Sequence, residues 1–120
     1  TGAPPMMVVD WQTVTLGLGV TDVGYLLAGG LEPENRRAVE HELLAEYIAA
    51  LGTRGVDYSM EQCLADYALG SLHGVIIAVT ATTMTDQTER GDALFTLMIN
   101  RHGRHALDFD ILDRLERELN

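Results

Sequence analysis

From Tyr67 to Thr85 the chain carries no Asp, Glu, Lys or Arg. Directly upstream stands Ser59-Met60-Glu61-Gln62, a Ser-x-x-Gln capping box that predicts a helix start. Together they predict one long helix to about Met84, amphipathic at its start and apolar on nearly every side afterwards. Such a helix is either the centre of a bundle or a membrane span. Gly70, Ser71, His73, Gly74 and a set of threonines dilute the stretch, and no aromatic or basic anchors flank it, which favours the bundle. Gly70 and Gly74 are spaced to share a face and admit a second helix closely. His73 is expected to be buried and hydrogen-bonded, and Cys63 to be a small buried hydrophobe.

The remaining helices follow from caps and periodicity. Thr21-Asp22 opens a short helix over Val23–Ala28, which Gly29-Gly30 is expected to stop in the left-handed conformation. Glu32-Pro33-Glu34 begins another, with proline in the first turn, where its lack of an N–H costs nothing. In that helix Val39, Leu43, Leu44, Tyr47, Ile48 and Leu51 recur at helical spacing, with Arg36, Arg37, Glu40, Glu42 and Glu46 on the wet side, solvated His41 among them, and Gly52 and Gly55 at its end. Asp86-Gln87-Thr88-Glu89 is a second box, starting a helix to Arg101 with Gly103 as the stop. Arg101, His102, Arg104 and His105 would then interact with that helix's free carbonyls, or with a phosphate. Asp108 would cap a terminal helix striped by Ile111, Leu112, Leu115 and Leu119.

Ahead of these helices, Met6-Met7-Val8-Val9 reads as a buried strand ending at Asp10-Trp11-Gln12, and Gly17 and Gly19 mark an irregular loop. Thr1–Pro5 reads as the remains of a hairpin turn, without the basic and apolar regions of a signal peptide. The expected architecture is mainly α: residues 1–20 a strand and loop remnant, residues 21–120 a helical body, in one domain.

The formal net charge is −10, with eight basic residues, none of them lysine. Nucleic acid and anionic membranes both need clustered cations, so neither is an expected partner. Phosphate loops and kinase-type nucleotide sites use a lysine that these residues do not contain. One cysteine and four dispersed histidines make no zinc pattern. A single cysteine also fits a reducing, cytoplasmic setting. What remains is Asp10, which from the residues alone is either a hard ligand for Mg²⁺ or a turn-forming acid.

Val8-Val9-Asp10-Trp11-Gln12, a glycine-containing loop, then Thr21-Asp22-Val23-Gly24-Tyr25-Leu26-Leu27 resembles the C-terminal lobe of the aminoglycoside phosphotransferase/choline kinase-like family. Pro33-Glu34-x-Arg36, Glu42-Leu43-Leu44-x-x-Tyr47 and Gly55-Val56-x-Tyr58-Ser59 continue the likeness. The resemblance implies a protein-kinase-like C-lobe with one N-terminal strand. In it Asp10 matches the acid of the Asp-Phe-Gly motif, a ligand of the Mg²⁺ that accompanies ATP or GTP. Trp11 and Gln12 stand where Phe and Gly would follow, and Asp22 steadies the catalytic loop. The implied activity is transfer of the γ-phosphate to a hydroxyl of a small-molecule acceptor. The family's His-Gly-Asp-x-x-x-x-Asn loop and its nucleotide-binding lobe do not occur in these residues. The expectation is therefore a C-terminal piece, inactive by itself and binding no nucleotide or metal alone. A surface left open by the other lobe would let two copies pair. The other reading is a self-standing helical binding or dimerisation domain.

Overall fold

A computed structural model describes Gly2, Val9, Trp11 and residues 14–119, with side chains through Arg117. Five helices make up the body: α1 (Val20–Gly30), α2 (Pro33–Gly52), α3 (Met60–Met84), α4 (Glu89–Asp108) and α5 (Ile111–Leu119). The fold is mainly α, and no strand occurs among the described residues. Met6–Val8, most of the expected strand, lie outside them, and Val9 is exposed and in no strand. The loop around Gly17 and Gly19 is irregular, as their spacing predicts.

The first capping box fixes the start of α3, while α4 is capped by Thr88 and not by Asp86, the first residue of the second box. The Ser59 hydroxyl accepts from the Gln62 N–H at 3.1 Å, and the Thr88 hydroxyl from the Gly91 N–H at 3.0 Å. Pro33 stands in the first turn of α2 as expected. After α2 the chain reverses through Gly55 at φ +79, a conformation that glycine adopts without Cβ strain.

α3 packs against all four other helices. Its buried face carries Cys63, Tyr67, Ala68, Gly70, Ser71, Gly74 and Ala78. Two core clusters share it. One joins Val20 and Leu27 of α1, Leu44 of α2, and Cys63 and Tyr67 of α3. The other joins Ala68 to Ala106 of α4 and Ile111 at the start of α5. The opposite side of α3 stays open, with Leu69, Ile76 and Val79 exposed. By length and composition alone α3 could cross a membrane, and it is the one such helix among the described residues.

Several boundaries differ from the sequence expectation. α1 begins at Val20 behind Gly19 and runs through both Gly29 and Gly30, so Thr21 is not its cap. Neither glycine takes a positive φ. The helix ends instead because Leu31 and Glu32 are extended, the conformation favoured immediately before Pro33. α4 passes straight through Gly103 to Asp108. Nothing approaches Gly103, and burial of the neighbouring face outweighs the small helix penalty of one glycine. Asp108 therefore ends α4 and does not cap α5. Asp110, at φ 47, precedes α5, and its carbonyl accepts the first helical bond from the Arg114 N–H.

Candidate functional site

Arg36 was expected in solvent on α2, yet it is fully buried. It is paired with Glu40 one turn along and with Asp108 at the end of α4. Arg37 adds two bonds to the same Asp108 carboxylate, at 2.8 and 3.0 Å. The Tyr67 hydroxyl donates to Glu40 at 3.1 Å, which extends the network into α3. A buried guanidinium is tolerated only when its charge and its donors are met, and two carboxylates meet them here. Burial works to raise the Asp108 pKa, but the hydrogen bonds and charges of Arg37 and Arg36 outweigh it and hold the group low. Burial, with the Glu40 charge behind it, pushes the Tyr67 phenol up, so it is a donor at neutral pH.

Beside this network lies a second group. The His105 ring is buried against Tyr67 (centroids 4.6 Å apart) and Phe109 (5.5 Å). Gly24 of α1 lies alongside the Tyr67 and His105 rings, where a Cβ would stand 3.3 Å from Tyr67 and 3.4 Å from His105. One turn earlier on α4, His102 stacks on Tyr25 with centroids 5.0 Å apart. It fits between Gly29 of α1 and Gly74 of α3. Gly70 and Gly74 thus do share a buried face, but each serves a different neighbour. Gly70 lies against Thr21 of α1 and Gly74 takes His102 of α4.

The basic cluster Arg101, His102, Arg104 and His105 does not act on the end of α4. Arg101 donates to the Gly29 carbonyl at 2.8 Å and pairs with Glu32, so it caps the C-terminus of α1. His102 and His105 are buried, and Arg104 is exposed beside Asn100. The dipole argument applied to the wrong helix because Gly103 was read as a stop. His73 is also corrected. It is exposed, and its ring meets the edge of Tyr25 at 5.8 Å. It lies on the same open face of α3 as Leu69 and Ile76. Cys63 is buried and its thiol is pushed up by burial, as expected of an inert core cysteine.

Of the residues implied by resemblance, Asp10 and Gln12 lie outside the described residues. Trp11 is 64% exposed and its carbonyl accepts from the Val14 N–H at 3.2 Å. Asp22 is exposed in the first turn of α1, one residue past the Thr21 that meets Gly70. Among the described residues no three His, Cys, Asp or Glu side chains group to hold a metal ion. The residues that sequence reasoning missed are Arg36, Asp108 and the two buried histidines. Their signal was available in part, because Arg36, Glu40 and Leu44 are spaced along one face of α2 that also carries apolar residues.

A family model described as Uncharacterized oxidoreductase dhs-27 matches residues 6–92. No curated protein and no solved structure matches the chain.

Proposed function

We infer that this chain, which belongs to the family described as Uncharacterized oxidoreductase dhs-27, is the helical C-lobe of a kinase-like phosphotransferase acting on a hydroxyl of a small molecule. The observation that carries the reading is the order of parts within the matched span. Asp10-Trp11-Gln12 comes first, then an irregular glycine loop, then α1 beginning Val20-Thr21-Asp22, then the capped helical body. That order is the one the phosphotransferase resemblance requires.

In this reading Asp10 supplies one carboxylate to Mg²⁺ on the phosphates of ATP or GTP, which neutralises charge during transfer. The catalytic base, the phosphate-binding lysine and the nucleotide lobe come from residues beyond these 120. The chain's own helices contribute a rigid frame. Arg36, Glu40, Asp108 and Tyr67 tie α2, α3 and α4 together, and Gly70 sets α1 tightly on α3. Such a frame holds a loop ahead of α1 in one place, and positioning is most of what phosphoryl transfer asks of a protein. The word oxidoreductase in the family description gains no support from this chain, which has no Gly-x-Gly-x-x-Gly after a strand.

The test is nucleotide turnover by the full parent protein with Mg²⁺ and a panel of small alcohols, read as ADP or GDP release. Asp10→Asn should lower it at least a hundredfold, and residues 1–120 alone should give none. Phosphorylated product from the isolated chain, or equal turnover by the Asn variant, would overturn the reading.

A second reading is a non-catalytic binding or dimerisation domain. It is favoured by the open apolar side of α3 and by Leu94 and Leu97 exposed on α4. Sedimentation separates the two: a concentration-dependent dimer with no nucleotide turnover by the parent supports this one.

A further inference from the structure

His102 and His105 are 1% and 0% exposed, and none of their four ring nitrogens has a hydrogen-bond partner among the described residues. A buried donor or acceptor left without a partner is destabilising, and apolar rings would fill these positions without that cost. The two imidazoles also occupy dedicated space. Gly74 on α3 lies where a side chain would overlap His102, and a Cβ on Gly24 or Gly29 of α1 would stand within van der Waals contact of His105 or His102 respectively. The seam between α4 and its two neighbours is thus built around two neutral, titratable knobs in glycine notches.

The groups around them work against protonation in place. Tyr25 of α1 lies on His102, and His73 of α3 adds a like charge to it when protonated. Tyr67 of α3 and Arg36 of α2 face His105, and Arg36 repels an imidazolium. Asp108 on α4 is the one anion that favours it, but both arginines already engage that carboxylate, and Glu40 is taken by Arg36 and Tyr67. Burial is the largest cause for both rings; it lowers His102 and pushes His105 down to about 3.

We propose that this seam is an acid-released joint, in which protonation of His102 and His105 expels both rings from their notches and frees α4 from α1 and α3. The division of the core makes a partial opening available. Val20, Leu27, Leu44 and Cys63 join α1, α2 and α3, with Tyr67 and Phe109 as the links toward α4, whereas Ala68, Ala106 and Ile111 form the cluster that α4 and α5 close. Release bares the ring faces of Tyr25 and Tyr67. The inference is independent of the phosphotransferase reading.

Amide hydrogen exchange on the wild-type protein at pH 7.5 and pH 5.0, normalised to intrinsic rates, tests it. His105, held down to about 3, favours the open form by about tenfold per pH unit below 6.5, about 30-fold by pH 5.0, and His102 adds to it in the same direction. Protection of the α4 amides near His102 to Ala106 should fall by at least that factor, while the α2 amides of Leu43 to Ile48 keep theirs. In parallel, ¹⁵N shifts of the imidazoles should show both rings neutral until the α4 amides lose protection. Three results would each overturn the joint: α4 protection independent of pH, an equal loss in α2, or either ring titrating near 6.5 with α4 still protected.

Discussion

Arg36 and Asp108 are 72 positions apart in sequence and form an ion pair in which the arginine is fully buried. The pair joins the first turns of α2 to the last residue of α4, and Arg37 grips the same carboxylate from the solvent side. The two arginines are therefore unequal. Removing Asp108 leaves a buried guanidinium with Glu40 alone, whereas removing Arg37 takes away a half-exposed partner. Asp108→Asn should cost about 3 kcal/mol, the low end for breaking a buried pair, because Glu40 remains. Arg37→Ala should cost about 1 kcal/mol or less. Urea unfolding followed by helical circular dichroism measures both, and similar losses would show that Arg36 is not the member that matters.

Glycines in helix interiors divide by what faces them. A Cβ on Gly74 would overlap the His102 ring, while Gly103 on α4 faces open space. Gly74→Ala should therefore destabilise by about 1–3 kcal/mol through overpacking. Gly103→Ala should stabilise by about 0.5–1 kcal/mol through helix propensity. Thermal unfolding of the two variants should move in opposite directions. Combining Gly74→Ala with His102→Ala should cost less than the sum of the two single changes, since each relieves what the other does.

These glycines also show where the sequence could be read and where it could not. Ser59 and Pro33 were legible because a helix start is decided by neighbours within one turn, whereas the cap of α4 was read two residues early, at Asp86. The course of α3 was legible for a related reason: its charge-free length admits few alternatives. Gly29, Gly30 and Gly103 were misread as stops because a glycine ends a helix only where the residues after it leave the helical conformation, which Pro33 imposes after α1 and the buried face of α4 prevents at Gly103. Arg36 was placed in solvent, and Asp108 at the start of α5. Arg36 is charged, and only a partner on another helix makes its burial tolerable. His73 and His102 exchanged roles: the histidine in the apolar run is exposed and the one in the basic cluster is buried. Composition around a residue reports its neighbours in sequence, and α3 presents apolar residues on both of its sides. Of the implied site, Trp11 and Asp22 are exposed, and Asp10 and Gln12 lie outside the described residues.

Stability should fall in two stages on acidification. His102 and His105 have lowered folded pKa values, so their contribution is complete above the unfolded value near 6.5. It is lost as pH drops from there, with His105 still unprotonated in the fold until about 3. Asp108 is also lowered, from 3.8, so its contribution is present above that value and disappears only below it. The first decline thus belongs to the histidines and the second to the Arg36–Asp108 pair. A net charge of −10 works the other way, because carboxylate protonation relieves repulsion. Measurement in about 0.5 M salt screens that term while leaving buried groups largely unaffected. Urea midpoints from pH 8 to pH 2.5 should then show a shoulder near pH 6, which His102→Asn with His105→Phe removes. A single decline confined to below pH 4 would count against the buried neutral rings.

The two hydroxyl caps make similar bonds in different surroundings. Ser59 starts α3, where Cys63 is buried one turn on, so the cap adjoins the core. Thr88 starts α4, where Glu89, Arg90, Asp92, Ala93 and Leu94 are all exposed and little else holds the first turns. Loss of a cap removes about 1 kcal/mol from the helix end it serves. At Ser59 that end cannot fray without uncovering Cys63, so the loss should appear in full as global stability. At Thr88 the first two turns can open alone, so Thr88→Ala should hardly move the global midpoint. It should instead speed amide exchange from Asp92 to Leu94 by about fivefold, which is the fold-change that 1 kcal/mol gives. Equal global losses for Ser59→Ala and Thr88→Ala would mean that the start of α4 is held by more than its cap.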